Sequence, residues 1–292
     1  MNRRRQRRSN SVLFVSILVA TLAVGLSVFA LADDSPEIAD SASAASVTAP
    51  DGFPQFTLAV PITQIADTQY LKLVNRDRPL ARPIDGTQLV TVWPDIPARA
   101  NYETLHETAF AAMLELFASA KNANMNNLFL ASGFRGYEEQ SYLYANAIDR
   151  RYVMPPGHSE HQLGLAADIL LLDFRDMQGS PEARWLAENA PTFGLILRYP
   201  ADKEDITGVA YEPWHFRYVG RVHAWYMARR AFVLEEYIEY LQANGGYRAE
   251  FAGRTYYVLY QRPENGMILV PEGLDFWVSS ANTGGYVVTA WR

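Results

Sequence analysis

The run LGLAADILLLD, Leu163 to Asp173, places one acid, Asp168, inside an apolar stretch with the length and composition of a buried strand. A carboxylate in that position is costly unless it is paired or coordinated. The segment alone leaves both readings open, a salt bridge to an arginine or a metal. His161 lies seven residues before Asp168, and an odd separation puts two side chains on opposite faces of an unbroken strand. Both can serve one centre only if the chain turns or bulges between them, and Gly164 offers the place.

The other chemical residues are few. A catalytic zinc wants three protein ligands and a fourth, open position. The chain has five histidines and no cysteine, so thiolate sites, disulfides, cysteine nucleophiles and a lipid-modified cysteine anchor are excluded. His106 and His223 fall in helical patterns and are assigned to surface or core, which leaves His158, His161 and His215. In Glu212-Pro213-Trp214-His215 the proline keeps Glu212 extended, unlike the helical H-E-x-x-H arrangement. The tetrapeptide can still put an imidazole on a metal and a carboxylate beside a water whose pKa the metal lowers. Arg135, following Ser132-Gly133 at the end of an expected strand, would add a fixed positive charge for an oxyanion or a substrate carboxylate. The residues alone point to a mononuclear metal site or metal-assisted hydrolysis. Two histidines and a carboxylate also occur in non-haem iron oxygenases. Here six residues separate His161 from Asp168, and Glu212 would be idle, which disfavours that class.

The first 32 residues carry five arginines and no acid, followed by 21 largely apolar residues from Val12 to Ala32. They are expected to be a cleaved signal peptide or a retained membrane anchor, with the remainder exported. Residues 33–52, small and polar, are expected to be a flexible linker. Without the arginines of the leader, 21 basic residues face 32 acids, a net charge of −11. Bulk charge therefore disfavours binding to nucleic acid.

From Phe53 to Gly246 strands and helices alternate. Tyr70–Asn75, Gln88–Trp93, Asn127–Phe134 and Leu195–Tyr199 are expected strands. Tyr102–Asn124 is expected to be a helix with Phe110, Met113, Leu114 and Phe117 on its apolar stripe. Ser180-Pro181-Glu182 is a helix start, and Arg221–Ala243 is expected to be one long helix. Residues 247–292 turn β-rich, an appendage of about four strands whose aromatic residues suit either its own core or a glycan.

The motifs S-x-H-x-x-G-x-A-x-D (Ser159, His161, Gly164, Ala166, Asp168), E-P-W-H (Glu212 to His215) and S-G-F-R (Ser132 to Arg135) together resemble the VanY-type D-alanyl-D-alanine carboxypeptidases. These are zinc peptidases of the bacterial wall, related to the VanX dipeptidases and in fold to the Hedgehog signalling domain. The resemblance spans roughly Tyr70 to Gly246. It implies an α+β fold in which an antiparallel sheet carries one zinc ion and helices surround it. It implies His161, Asp168 and His215 as metal ligands, Glu212 as catalytic base, and Arg135 as stabiliser of the tetrahedral intermediate with contact to the substrate carboxylate. Gln140 and Ser159 match positions near the substrate's C-terminal end. His158 is then at most at the rim or behind the ligands, and Glu160 is not the acid of the reaction. The implied activity is removal of D-alanine from peptidoglycan stem peptides, outside the cytoplasm of a bacterium, by a monomer that meets the membrane only through its N-terminal segment. L,D-carboxypeptidase or endopeptidase activity on the same peptides is the enzymatic alternative, and a non-catalytic wall-binding or sensor module the other.

Overall fold

A computed structural model describes residues 52–81 and 88–292; the leader and nearly all of the linker expected from the sequence lie outside the described residues. The chain enters through β1 (Phe56–Pro61), β2 (Leu89–Thr91) and β3 (Thr104–His106), then α1 (Glu107–Asn122), β4 (Leu128–Ser132) and α2 (Tyr137–Ala145). It continues through β5 (Ala166–Leu171), α3 (Pro181–Asn189), β6 (Leu195–Leu197), the single turn α4 (Glu204–Thr207) and β7 (His215–Tyr218). After α5 (Arg221–Arg230) and α6 (Leu234–Asn244) come β8 (Gly246–Phe251), β9 (Arg254–Gln261), β10 (Met267–Pro271), β11 (Asp275–Ser280) and β12 (Tyr286–Trp291). The architecture is α+β with antiparallel sheets.

The sheet that matters runs β4-β5-β7-β6, antiparallel throughout. Strand side chains alternate between faces. One face is apolar: Leu128, Leu130, Ala167, Ile169, Leu171, Leu195 and Phe216 join Met113 and Leu116 of α1 and Leu186 of α3 in one core. The other face holds Asp168, His215 and Arg217. A bulge in β4 changes its parity, because Leu130 pairs with Ile169 while Ser132, two residues on, pairs with Asp168. Ser132 thereby joins the polar face.

The C-terminal strands form a second sheet, β11-β12-β9-β8, and β1 pairs with β10. Both faces of the second sheet are buried. Tyr257, Leu259, Val288 and Ala290 pack with Phe56, Ile268 and Val270, while Val258, Tyr260 and Val287 pack with α5, α6 and Leu71, Leu73 and Ile196. Many of the aromatic side chains of these strands are core.

Four expectations require correction. Residues Tyr70–Asn75 are not a strand of a sheet. Their backbone groups are satisfied elsewhere: Leu71 N–H donates to Ser279 Oγ, Leu73 N–H to the Ala281 carbonyl, and the carbonyls of Gln69, Tyr70 and Lys72 all accept from Arg217. The helix expected from Tyr102 starts at Glu107, because Thr104–His106 pair with β2 and His106 caps the helix, its Nδ1 accepting from Thr108 N–H. The buried stripe of α1 is Ala109, Ala112, Met113, Leu116 and Ala120, with Leu114 exposed: small alanines allow close packing that a search for large apolar residues overlooks. The helix expected over Arg221–Ala243 is two, broken at Ala231 with φ 51°; Val233 is extended and its N–H donates to Glu236, which starts α6 afresh.

Candidate active site and metal centre

Asp168 on β5 and His215 on β7 are directly opposed across the sheet. His215 Nδ1 lies 3.1 Å from Asp168 Oδ1. His161 arrives from the 3-10 turn Glu160–Leu163 just before β5. Gly164 ends that turn at φ 66°, and a Cβ there would lie 2.8 Å from Leu89 Cδ2 and 3.0 Å from His106 N. Only glycine fits this left-handed, crowded position. The reversal brings His161 Nε2 to 3.3 Å from the same Oδ1.

Asp168 Oδ1 is buried and makes no hydrogen bond, despite having two ring nitrogens close by. The three groups aim at a shared point, with their ligand atoms all within 4.8 Å of one another. Tetrahedral zinc with bonds of about 2.0–2.1 Å separates its ligands by about 3.3 Å. The residues therefore fit a zinc ion, leaving one position open. The His161 tautomer fits as well. Its Nδ1–H donates to the Gly133 carbonyl at 2.7 Å, so the Nε2 lone pair turns to the centre. Gly133 is itself forced, since a Cβ would sit 2.2 Å from the Thr104 carbonyl oxygen.

Glu212 precedes β7 and is held by its backbone, its N–H donating to the Tyr199 carbonyl and its own carbonyl accepting from His215 N–H. Its carboxylate is 4% exposed and reaches within 3.4 Å of His215 Nδ1. Burial pushes the Glu212 carboxyl up to about 8. Burial, then the Arg135 charge, brings His161 down to about 4. Burial opposes protonation of His215 too, but the Asp168 and Glu160 carboxylates win and raise it to about 9. Asp168 stays well below the usual carboxylate range against its burial, through its interactions with His161, then His215, then Arg135.

Arg135 is fixed by four contacts. Its Nε donates to Ser132 Oγ (2.9 Å), Nη1 to Gln140 Oε1 (3.2 Å) and Nη2 to Asp168 Oδ2 (2.7 Å), and Nη2 also lies 2.8 Å from His161 Nε2, a contact that a metal on that nitrogen would replace. It lines a cleft of about 410 Å³ together with Ser159, Glu212, Tyr152, Met154 and Trp214. Gln140 is not at the cleft wall. It is fully buried behind Arg135, and its amide group is spent on Arg135 and on the Met154 carbonyl. The structure thus places it to hold the arginine, not to face a ligand.

The remaining histidines have other partners. His158 Nδ1–H donates to the Asn75 carbonyl, away from the cleft. His106 caps α1 and bonds Gln88. His223 is buried among Tyr237, Thr289 and Trp277. Sequence reasoning set Glu160 aside as not the acid of the reaction and passed over Arg198 and Arg217; all three are buried. Glu160 Oε1 accepts from Arg198 Nε at 2.8 Å and lies 3.0 Å from Arg217 Nη1. The signal was present: arginines inside LILRY and HFRY, apolar strand-like runs, carry the same cost as Asp168 and demand a buried acid.

Comparison with known proteins finds relatives of this chain. The family model VanY, D-alanyl-D-alanine carboxypeptidase, matches residues 102–221. A D-alanyl-D-alanine carboxypeptidase of Enterococcus faecium is 38% identical over 178 residues, 61% of this chain and 58% of its own length. The chain thus spans less than two thirds of that relative. The bifunctional D-Ala-D-Ala dipeptidase and carboxypeptidase VanXYC of Enterococcus gallinarum is 32% identical over 185 residues, 59% of this chain and 94% of its own. Among solved structures, the vancomycin resistance D,D-dipeptidase VanXYg, in complex with a D-Ala-D-Ala phosphinate analogue, superposes with a TM-score of 0.70 at 30% identity, covering 82% of this chain and all of that one. By these relatives, the chain belongs to the VanY family of D-alanyl-D-alanine carboxypeptidases.

Proposed function

We propose that this protein is a zinc carboxypeptidase that removes C-terminal D-alanine from peptidoglycan stem peptides. The observation that carries the reading is the convergence of His161, Asp168 and His215 on one point, with the buried carboxylate of Glu212 beside it. His161 Nε2, Asp168 Oδ1 and His215 Nδ1 would hold one zinc ion. The chemistry zinc supplies there is Lewis acidity towards water and the scissile carbonyl. Glu212 takes the proton of the attacking water and passes it to the leaving amine as the carbon–nitrogen bond breaks. A carboxyl with its proton affinity raised by burial is suited to both halves of that transfer. Arg135, held on three sides, offers its guanidinium to the oxyanion and to the substrate's terminal carboxylate. Gln140 keeps Arg135 in place, and Ser159 supplies a hydroxyl at the cleft wall.

The relation to the Hedgehog signalling domain belongs to this reading, as does an extracytoplasmic location in a bacterium, secreted or anchored through residues 1–32. So does a division into a catalytic part, residues 53–246, and a β-rich part, residues 247–292, in a monomer. Incubation of the purified protein with stem pentapeptides tests the activity. D-alanine release that stops on chelation and returns with zinc is the expected result. Release from tetrapeptides alone would indicate L,D-carboxypeptidase activity, and no release from any stem would leave a binding module.

A further inference from the structure

Glu160 takes no part in the mechanism above, yet it is buried between two arginines. The side chain is fully buried on the turn that carries His161. Oε1 is shared by two guanidiniums, Arg198 and Arg217, both fully buried. Each is anchored at its far side. Arg198 grips Glu235 of α6 with two parallel bonds of 2.8 and 2.7 Å. Arg217 donates to the carbonyls of Gln69, Tyr70, Lys72 and Tyr218. The four ionic groups balance in charge. A network of this kind adds little net stability over an apolar core of the same volume, so stability is a poor account of it.

The remaining oxygen, Glu160 Oε2, is buried without a hydrogen-bond partner. His215 Nε2 is buried without one too, and the two face each other at 3.6 Å. That separation is about 0.6 Å longer than an ordinary N–H···O bond, and neither atom has another partner. On the other side of the same ring, Nδ1 faces Asp168.

We propose that Glu160 is a positioning residue for the metal centre: it accepts the Nε2–H of His215 and so fixes the tautomer and orientation in which Nδ1 presents its lone pair to zinc. The proposal rests on the metal reading of His161, Asp168 and His215. Both ligand rings are then held from behind, His161 by the Gly133 carbonyl and His215 by a carboxylate. Such a partner orients the ring and strengthens it as a ligand. Arg198 and Arg217 keep Glu160 from turning away, and through Glu235 the arrangement reaches α6, remote in sequence from the cleft.

The test uses the full chain and zinc itself. Wild type is expected to bind one equivalent, and Glu160→Gln to weaken binding by about 10–100-fold in a chelator competition. The visible spectrum of the cobalt-substituted variant should also shift, while its circular dichroism matches wild type. Unchanged zinc affinity together with an unchanged cobalt spectrum would overturn the proposal. If Glu160→Gln does not fold, nitrogen-15 histidine spectra of wild type decide instead. An exchange-protected proton on His215 Nε2 supports the assignment, and an Nδ1-protonated, Nε2-bare ring in the zinc-loaded protein overturns it. Failure of wild type to bind zinc at all would remove the metal reading and this proposal with it, an outcome distinct from a variant that binds as well as wild type.

Discussion

Asp168 and His215 are cross-strand partners on β5 and β7, so two of the three candidate ligands are positioned by sheet register and not by a loop. A slip of one residue would send one of the two side chains to the apolar face. Replacing Asp168 with Asn keeps the volume and removes the charge. We expect zinc content to fall below about a tenth of wild type, since a three-ligand site has no spare donor. Elemental analysis of the purified variant checks this, and full occupancy would take Asp168 out of the ligand set.

Glu212→Gln separates binding from turnover. Its backbone bonds to Tyr199 and His215 survive the change. Zinc should remain, while kcat falls by roughly 10²–10⁴ with the loss of proton transfer. D-alanine release measured beside metal content distinguishes the two, and near-normal turnover would assign the proton to another group.

Arg135→Lys tests the fork. A lysine cannot donate at once to Ser132, Gln140 and Asp168 as the guanidinium does. A loss of about 10²-fold in kcat/KM is expected, comparable to removal of one oxyanion donor. Steady-state kinetics on one pentapeptide are sufficient, and a change below twofold would contradict the role.

Acid stability should depend on His223, far from the cleft. Burial brings its imidazole down to about 3, so the folded protein holds it neutral while the unfolded chain takes up a proton near the ordinary value of 6.5. Its share of stability is present above pH 6.5 and is lost as pH falls from there towards 3. His223→Gln should flatten the rise of urea midpoint with pH across that window. Parallel profiles for variant and wild type would show that His223 is not the group responsible.

Much of the site was legible because its members break local rules. Asp168 is an acid in an apolar strand, Gly164 is the reversal needed to reach it, and Pro213 keeps Glu212 extended. The strand β4 and the Ser180 cap of α3, where Oγ accepts from Ala183 N–H, follow from local pattern as well. What escaped depends on contacts remote in sequence. Residues 70–75 look like a strand, but their carbonyls are taken by Arg217, some 147 residues on. The break at Ala231 has neither glycine nor proline to announce it. Gln140 matches a position near the substrate, yet it was impossible to see from the sequence that Met154 and Arg135 occupy its amide.

Gly164→Ala tests the reversal itself. A methyl group meets Leu89 and the His106 backbone at a left-handed φ, so a stability loss of more than about 1 kcal/mol is expected, along with weaker zinc binding as His161 is displaced. Denaturant titration and chelator competition on the same sample check both, and a variant as stable as wild type would show that the turn has room to give.

The bulge in β4 makes length, more than composition, the vulnerable property of that strand. Leu128 to Ala131 are buried apolar side chains, and conservative exchange among such residues is usually tolerated. Deleting one residue is a different event. With Ser132 still opposite Asp168, loss of Phe129 or Leu130 would shift Leu128 by one place and turn it from the apolar face to the other one. A library of single substitutions would rank β4 as permissive where a library of single deletions would find it among the least forgiving parts of the chain.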